Sequence, residues 1–472
     1  MRAVSAIPPA LSIICHILPT ASTFAASSPA RRSRRVGRWG GSSLPGASNA
    51  DVDVVVSSSP PSDRDDRIDR DDERDSPPRW ASRALLFSSF EDGLSSNDAA
   101  RSFLLHSLVD SMLLERIDDV EDDVRTSASF SPCNGPRTDV IDELTRLDEL
   151  RESGRRLLVD EASPSDVGGG GREYDFRAID YWSKGAMRHL HRPRTGNGDE
   201  GSRPVRARVL YVPTAMYALD AGSSCTPGKQ RQRARSDGKK RRDKLLDLVA
   251  DLLTLADDDT NDRNRRMIGV LSTTLDLHDG SLKQHVGSDD MSLFPRNGMD
   301  ALTTWRPHLV YVEGGNTFWL RHCMEGGGYM SAMRDACCGA GGVTRGGGYA
   351  VYCGKSAGAI VAGLDVGTAT WKGWDDPSVV PGMERYDDWS GIPGLDLVGG
   401  RSFFPHMTED WSETVDERSR AMTMTTTMAR RRREGEDDSR CDDLVCLGER
   451  DALCVMGDER LLLMTSGTGS LN

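Results

Sequence analysis

Apolar residues recur along this chain in two periods, and the change from one to the other divides it. Leu104, Leu105, Leu108, Met112, Leu113 and Ile117 return every three or four positions, the spacing of one helix face, and Asn97 stands where a side chain can cap the first turn. A second helical stretch is predicted from about Asp139 to Leu158. Ser131-Pro132-Cys133-Asn134-Gly135-Pro136 between them reads as a loop, and Gly168–Gly171 as a flexible break. After residue 204 the period shortens. Val205–Val212 alternates, turns wholly apolar and stops at Pro213-Thr214-Ala215, which predicts a strand with a loop at its carboxyl end. Leu245 to Leu255 is a strongly apolar helix, and Met267–Ser272, Leu309–Val312 and Tyr349–Cys353 read as further buried strands. Strands that alternate with helical segments predict βαβ units and a parallel sheet covered on both faces. In such sheets ligands sit at the carboxyl ends of the strands.

The amino terminus has a different character. Arg2 precedes an apolar run from Ile7 to Leu18, followed by the small residues around Ala21-Ser22-Thr23-Phe24-Ala25, the pattern of a cleaved signal peptide. The run is too short, and too broken by Pro8, Pro9 and Pro19, to cross a bilayer. Ser28–Arg35 is rich in Ser and Arg, with no acid until Asp51, and together the two segments resemble a bipartite presequence for a plastid, with a weak mitochondrial presequence as the alternative. The expected destination is the plastid or the secretory pathway. Residues 51–79 are dominated by charge and cannot bury enough apolar surface to offset their ordering entropy. The predicted organisation is a targeting peptide over 1–30, a charged disordered linker over 31–80, a helical extension over 81–200 and a catalytic α/β domain over 201–472.

Composition narrows the function. The formal charge is −13, against a general nucleic-acid-binding role. The chain is 37% hydrophobic, and the deficit lies mostly in the first 80 residues, so the remainder can form an ordinary core. Ten cysteines without paired CxxC spacing make no disulfide framework and no metal site. His189 and His191, at i and i+2, point to separate faces of a helix and make a poor metal pair. No other stretch predicts a membrane span. Nine Lys or Arg between Lys229 and Lys244 are expected in a solvated loop after the first strand. No metal and no cofactor is called for.

Two glycine-rich motifs fall at the predicted carboxyl edge. Glu313-Gly314-Gly315-Asn316-Thr317 follows the Leu309–Val312 strand, where glycines let the backbone approach a ligand and Asn316 or Thr317 can cap the next helix. Gly354-Lys355-Ser356-Ala357-Gly358 matches G-x-S-x-G, the turn that lifts a nucleophilic serine over a helix amino terminus. Backbone N–H groups of Ala357 and Gly315 are then the oxyanion donors, and Asn316, Thr317 and Lys355 are substrate-binding candidates. A serine needs a base, and His406, in Phe403-Phe404-Pro405-His406, is the one histidine after Ser356. Glu409, Asp410, Glu449 and Asp451 are candidates to orient it. Glu449 is preferred because it follows the buried-type strand Leu444–Leu447; Asp410 is the alternative. Trp371-Lys372-Gly373-Trp374-Asp375-Asp376-Pro377 reads as a loop near the site whose tryptophans are expected to pack structurally, with lining of the site as the alternative.

These motifs, with Pro405-His406, resemble peptidase family S51, which contains dipeptidase E (α-aspartyl dipeptidase) and cyanophycinase. The similarity runs from about Val205 to Asp458. It implies a class I glutamine-amidotransferase-like, flavodoxin-like three-layer sandwich with a mostly parallel sheet. It also implies a Ser-His-Glu triad of Ser356, His406 and Glu449, and metal-free hydrolysis of small peptides with an amino-terminal Asp. Asn316-Thr317 after the glycines is similar to dipeptidase E rather than cyanophycinase. Arg450 and Asp451 replace the small pair the family has before Ala452-Leu453. Reading a substrate Asp would require a cation, for which Arg321, Lys355, Lys372 and Arg401 are candidates. Two other readings stand beside this one: an α/β-hydrolase esterase, whose acid would precede His406 at Asp387 or Asp388, and an inactive binding module.

Overall fold

Four short apolar runs, none longer than eight residues, make the middle of an eight-stranded sheet together with a fifth that the period analysis does not single out. The computed structural model describes residues 83–130, 138–159, 176–190, 205–220, 223–254, 268–338, 350–383, 391–420, 444–457 and 460–465. The predicted targeting peptide, the charged linker and the Ser131–Pro136 and Gly168–Gly171 loops lie outside the described residues, as do Asp387 and Asp388.

The strands are β1 (Arg83–Phe87), β2 (Arg206–Val212), β3 (Gly269–Asp276), β4 (Ser281–Val286), β5 (Leu309–Val312), β6 (Val351–Lys355), β9 (Asp451–Met456) and β10 (Arg460–Thr465), ordered β10-β9-β1-β6-β5-β2-β3-β4. The block β1-β6-β5-β2-β3 is parallel throughout, and β4 and β9 pair antiparallel at its two sides. β7 (Ser402–Pro405) and β8 (Leu444–Leu447) form a separate parallel pair. Central strands such as Leu-Val-Tyr-Val of β5 are buried on both faces, as a covered parallel sheet requires.

Side-chain parity divides the core. Ala84, Leu86, Leu210, Val212, Val310, Val312 and Tyr352 face α5 (Gly298–Thr303), α6 (Thr317–Gly326), α7 (Tyr329–Cys338) and α8 (Ala357–Ala362). Leu85, Phe87, Val209, Tyr211, Leu309, Tyr311 and Cys353 face α1 (Asp98–Phe130), α3 (Phe176–Leu190) and α4 (Pro227–Leu253), with α2 (Thr138–Val159) packed on α1 and α3. This is the predicted three-layer α/β sandwich with a mostly parallel sheet. Among the described residues no helix is long and apolar enough to cross a membrane.

Two expectations change. The stretch 81–200 is not only a helical extension: β1 sits between β9 and β6, in register with the strand that leads to Ser356, and α1 and α3 form much of one outer layer. The five-residue Arg83–Phe87 run is too short to be separated from a helix segment by period alone. The basic run Lys229–Lys244 is helix, not loop: α4 starts at Pro227, a residue suited to a first helical position, and continues through good helix formers to the apolar face Leu245–Leu253. Charge reports exposure, and exposure is compatible with either backbone state.

Candidate active site

Strands β1, β2, β5 and β6 end on one edge of the sheet, and every residue singled out in the two glycine motifs lies there. At the end of β6 the chain turns straight into α8. Ser356 makes that turn at φ +48 and ψ −107, a conformation that L-residues with side chains rarely adopt. Its N–H donates to Phe87 O of β1 at 2.9 Å. The turn closes tightly because Gly358 lies against Val312, where a Cβ would run into the strand's carbonyl oxygen. Ser356 does not cap α8. Its Oγ instead lies 2.9 Å from His406 Nε2.

His406 follows β7, also at positive φ (+56). Its Nδ1 is 2.6 Å from Glu449 Oε1. A carboxylate only accepts, so Nδ1 carries the hydrogen and Nε2 is left to accept from the Ser356 hydroxyl. Glu449 follows β8, the partner of β7, which brings the two residues to the same end of that pair. The histidine side chain is 23% exposed and the glutamate 48%, so the pair opens to solvent. The other candidate acids lie elsewhere: Asp451 accepts from Gly448 N–H at 2.8 Å, and Glu409 and Asp410 begin a short 3-10 turn.

The backbone of His406 is held from both sides. Its N–H donates to Ser88 Oγ at 2.8 Å, and Ser88 in turn donates to Leu447 O at 3.0 Å. Lys372 Nζ donates to His406 O at 2.7 Å and also to Pro405 O. Burial pushes the Lys372 ammonium down to about 8, with the charge of Glu449 pulling the other way. Ser88 belongs to no motif. Its signal in the sequence is the polar pair Ser88-Ser89 directly after the apolar Ala84–Phe87 run.

The first glycine motif packs against the serine. A Cβ on Gly314 would be 3.0 Å from Ser356 Cβ, and Gly315, at φ +146, leaves no room for one beside Ala215 O. Ala357, as the first residue of α8, has an N–H without an intrahelical acceptor. Asn316 caps α6 through Oδ1 to Trp319 N at 2.9 Å, and donates from Nδ2 to Asp376 O at 3.0 Å. Thr317 N–H donates to Asp375 Oδ2 at 2.9 Å. Burial raises the pKa of that carboxyl, while the bonds from Thr317 oppose the shift.

The four candidate cations all have partners within the protein. Lys355 Nζ is 2.8 Å from Glu313 Oε1, and Lys372 holds the carbonyls already described. Arg321 bonds Pro393 O and pairs with Glu325 at 3.2 Å, and Arg401 reaches Val398 O at 3.4 Å. Glu313 is the centre of a larger group: its buried carboxylate also accepts from Arg241 at 3.0 Å, Tyr211 OH at 3.1 Å and Gly314 N–H at 3.2 Å. Burial and the adjacent carboxylate push the Tyr211 hydroxyl well above its ordinary pKa. This group ties the Gly314 loop to the residue before Ser356. The register Val312↔Gly354 puts residues 313 and 355 side by side, a neighbourhood visible only once β5 and β6 are known to pair. Among the described residues no cluster of His, Cys, Asp and Glu has the makings of a metal site. Cys353 is buried, with its thiol pushed up by desolvation, and is no substitute nucleophile.

Comparison with known families points the same way. Residues 280–435 match the model of peptidase family S51, in agreement with the resemblance read from the motifs. That segment contains Gly314-Gly315, Ser356 and His406; Glu449 lies beyond it. A 1.5 Å crystal structure of a candidate peptidase E protein from Listeria monocytogenes EGD-e is similar over 56% of this chain and 89% of that one, at 14% identity and a TM-score of 0.26. No curated protein matches this chain.

Proposed function

We propose that this protein is a serine-type peptidase that cleaves short peptides, dipeptides with an amino-terminal Asp foremost, through Ser356, His406 and Glu449. The observation that carries the reading is the unbroken chain of contacts from Ser356 Oγ to His406 Nε2 at 2.9 Å and from His406 Nδ1 to Glu449 at 2.6 Å. A chance G-x-S-x-G turn would not recruit a histidine 50 residues on and a carboxylate 43 further. The family match supports the same reading at the coarser level of a peptidase.

In this mechanism His406 Nε2 removes the Ser356 proton as Oγ attacks the scissile carbonyl. The carbonyl π electrons move to oxygen, and the N–H groups of Gly315 and Ala357 stabilise that oxyanion. Glu449 stabilises the imidazolium and fixes the tautomer. His406 then protonates the leaving amine, the C–N bond breaks and an acyl-Ser356 ester remains. Water, deprotonated by the same His406, hydrolyses the ester and restores the serine. Asn316, Thr317 and Lys355 shape the substrate side of the site through the loops they hold.

The test is hydrolysis of Asp-Leu, Ala-Leu and N-acetyl-Asp-Leu by the full chain and its Ser356→Ala variant. Cleavage of Asp-Leu alone is expected, with kcat in the variant lower by roughly 10³–10⁶. Wild-type rates in Ser356→Ala would remove the mechanism. The esterase reading places its acid before the histidine, whereas the carboxylate found at His406 comes after it.

A further inference from the structure

The loop between Trp371 and Asp376 is fastened at both ends to opposite sides of the site. At one end Asp375 and Asp376 accept from Thr317 N–H and Asn316 Nδ2 of the glycine loop, at 2.9 and 3.0 Å. At the other, Lys372 Nζ donates to the carbonyl oxygen of His406. Trp374 lies between these anchors. Its ring centroid is 5.8 Å from the His406 ring and 5.9 Å from Trp411, which meets it edge-on. Lys372 Nζ sits 4.5 Å from the Trp374 ring centroid, 4.3 Å from Phe404 and 5.5 Å from Trp411, and so braces the aromatic group from one side. For all these contacts Trp374 is still 62% exposed, the most exposed tryptophan side chain among the described residues. A braced indole left open to water beside a catalytic base is a surface prepared for an apolar partner.

We infer that Trp374 is the binding surface for the side chain of the residue that leaves, the one on the carboxyl side of the scissile bond, and that it selects apolar and aromatic residues there. The inference rests on the peptidase reading above. In acyl transfer the base that takes the serine proton returns it to the leaving nitrogen, so the leaving residue lies on the His406 side of the site, away from the oxyanion donors. On that side, among the described residues, Trp374 is the large apolar ring in contact with His406. A leucine or phenylalanine side chain laid on the indole removes apolar surface of both from water, whereas glycine removes almost none. The preference resides in the leaving residue and leaves recognition of the amino-terminal residue to other groups.

The experiment uses the full chain and two readouts. The first is kcat/KM for Asp-Phe, Asp-Leu and Asp-Gly in the wild type, Trp374→Ala and Trp374→Phe. The wild type should favour Asp-Phe and Asp-Leu over Asp-Gly by about tenfold. That ratio should fall to near one in Trp374→Ala and largely return in Trp374→Phe. Equal losses on all three dipeptides, with the ratio kept, would make Trp374 a support for His406 only and overturn the inference. The second readout is calorimetric binding of Asp-Phe and Asp-Gly to Ser356→Ala, which needs no turnover. A binding preference lost with Trp374→Ala, where the wild type cleaves neither dipeptide, would keep the apolar surface and remove the peptidase reading. Cleavage of all three dipeptides without preference would do the reverse.

Discussion

Among the described residues two histidines, His308 and His406, are each paired with a glutamate, and they differ in nearly everything else. His308, just before β5, has Nε2 2.9 Å from Glu115 of α1, and its Nδ1 accepts from Arg208 N–H at 3.0 Å. Arg208 also reaches Glu115 at 2.7 Å, and Arg306 reaches Asp118 at 2.9 Å. The side chain is 1% exposed, its backbone N–H and carbonyl are both paired with neighbouring strands, and it stands at the amino edge of the sheet. His406 stands after a strand's carboxyl end, at positive φ, partly open to water, with Ser356 on its second nitrogen. The tautomers are opposite: His308 carries its hydrogen on Nε2 and His406 on Nδ1, each toward its carboxylate. A Glu–His pair is therefore not in itself reactive. The occupant of the second nitrogen decides. At His308 it is a backbone N–H that cannot be removed, and the pair fastens α1 to the sheet. At His406 it is the Ser356 hydroxyl, which the proposed mechanism deprotonates.

The largest expected effect that separates the two pairs is Glu449→Gln, which should lower kcat by about 10²–10⁴ while moving the melting temperature little, since the residue is 48% exposed. The measurement is steady-state hydrolysis of Asp-Leu alongside thermal unfolding; an unchanged kcat would make the pair at His406 as structural as the one at His308.

Glu115→Gln should do the opposite: lower the melting temperature by a few degrees with kcat kept. Burial pushes the Glu115 carboxyl up, but the hydrogen bond from His308 and the charge and hydrogen bond of Arg208 prevail and hold it at about 2. A carboxyl depressed in the folded state adds stability above its ordinary value near 4.5, and that stability is lost as pH falls from there toward 2. The gap in melting temperature between wild type and Glu115→Gln should thus close over the same window. A gap that persists at pH 2 would show that the carboxylate's charge is not what stabilises the pair.

The smallest effect concerns the grip on His406. Lys372→Met removes a donor to the His406 carbonyl and should lower kcat/KM by about fivefold, the worth of one ordinary hydrogen bond. In the wild type the same grip weakens as Lys372 loses its proton near pH 8. Its folded pKa is below the ordinary 10.5, so the charged form costs stability below pH 8 and that cost fades as pH rises to 10.5. A fall in kcat/KM above pH 8 without a matching fall in stability, and its absence in Lys372→Met, would assign it to this lysine. An identical alkaline limb in both proteins would clear Lys372 of the role.

Many of these features are legible in the order of the residues. The strand over Leu309–Val312, the helix from Asn97, the turn at Ser356 and the strand ends at His406 and Glu449 each follow from a few adjacent residues whose chemistry leaves few options. Other features are hidden for identifiable reasons. Arg83–Phe87 is too short for its period to declare a strand, yet it lies beside β6 and leads into Ser88. The basic run of α4 looks like a loop when judged by charge, although Lys, Arg and Gln favour helix. Lys355 looks like a free cation beside the serine until Glu313 is found on the neighbouring strand. The tryptophans of the 371–376 loop look like packing until Trp374 proves largely exposed.

The amino-acid sequence alone determined the local chemistry: which strand ends in a turn only small residues allow, which serine it lifts, and where the last histidine stands. Backbone sterics and side-chain period act over a few residues and so can be read in order. Only the tertiary structure decided who meets whom. Ser88 and His406 are 318 residues apart, Ser356 and His406 50, and Glu313 meets Lys355 because β5 and β6 pair. Strand order and register result from burial of both sheet faces at once, a sum over the whole domain that no single segment encodes.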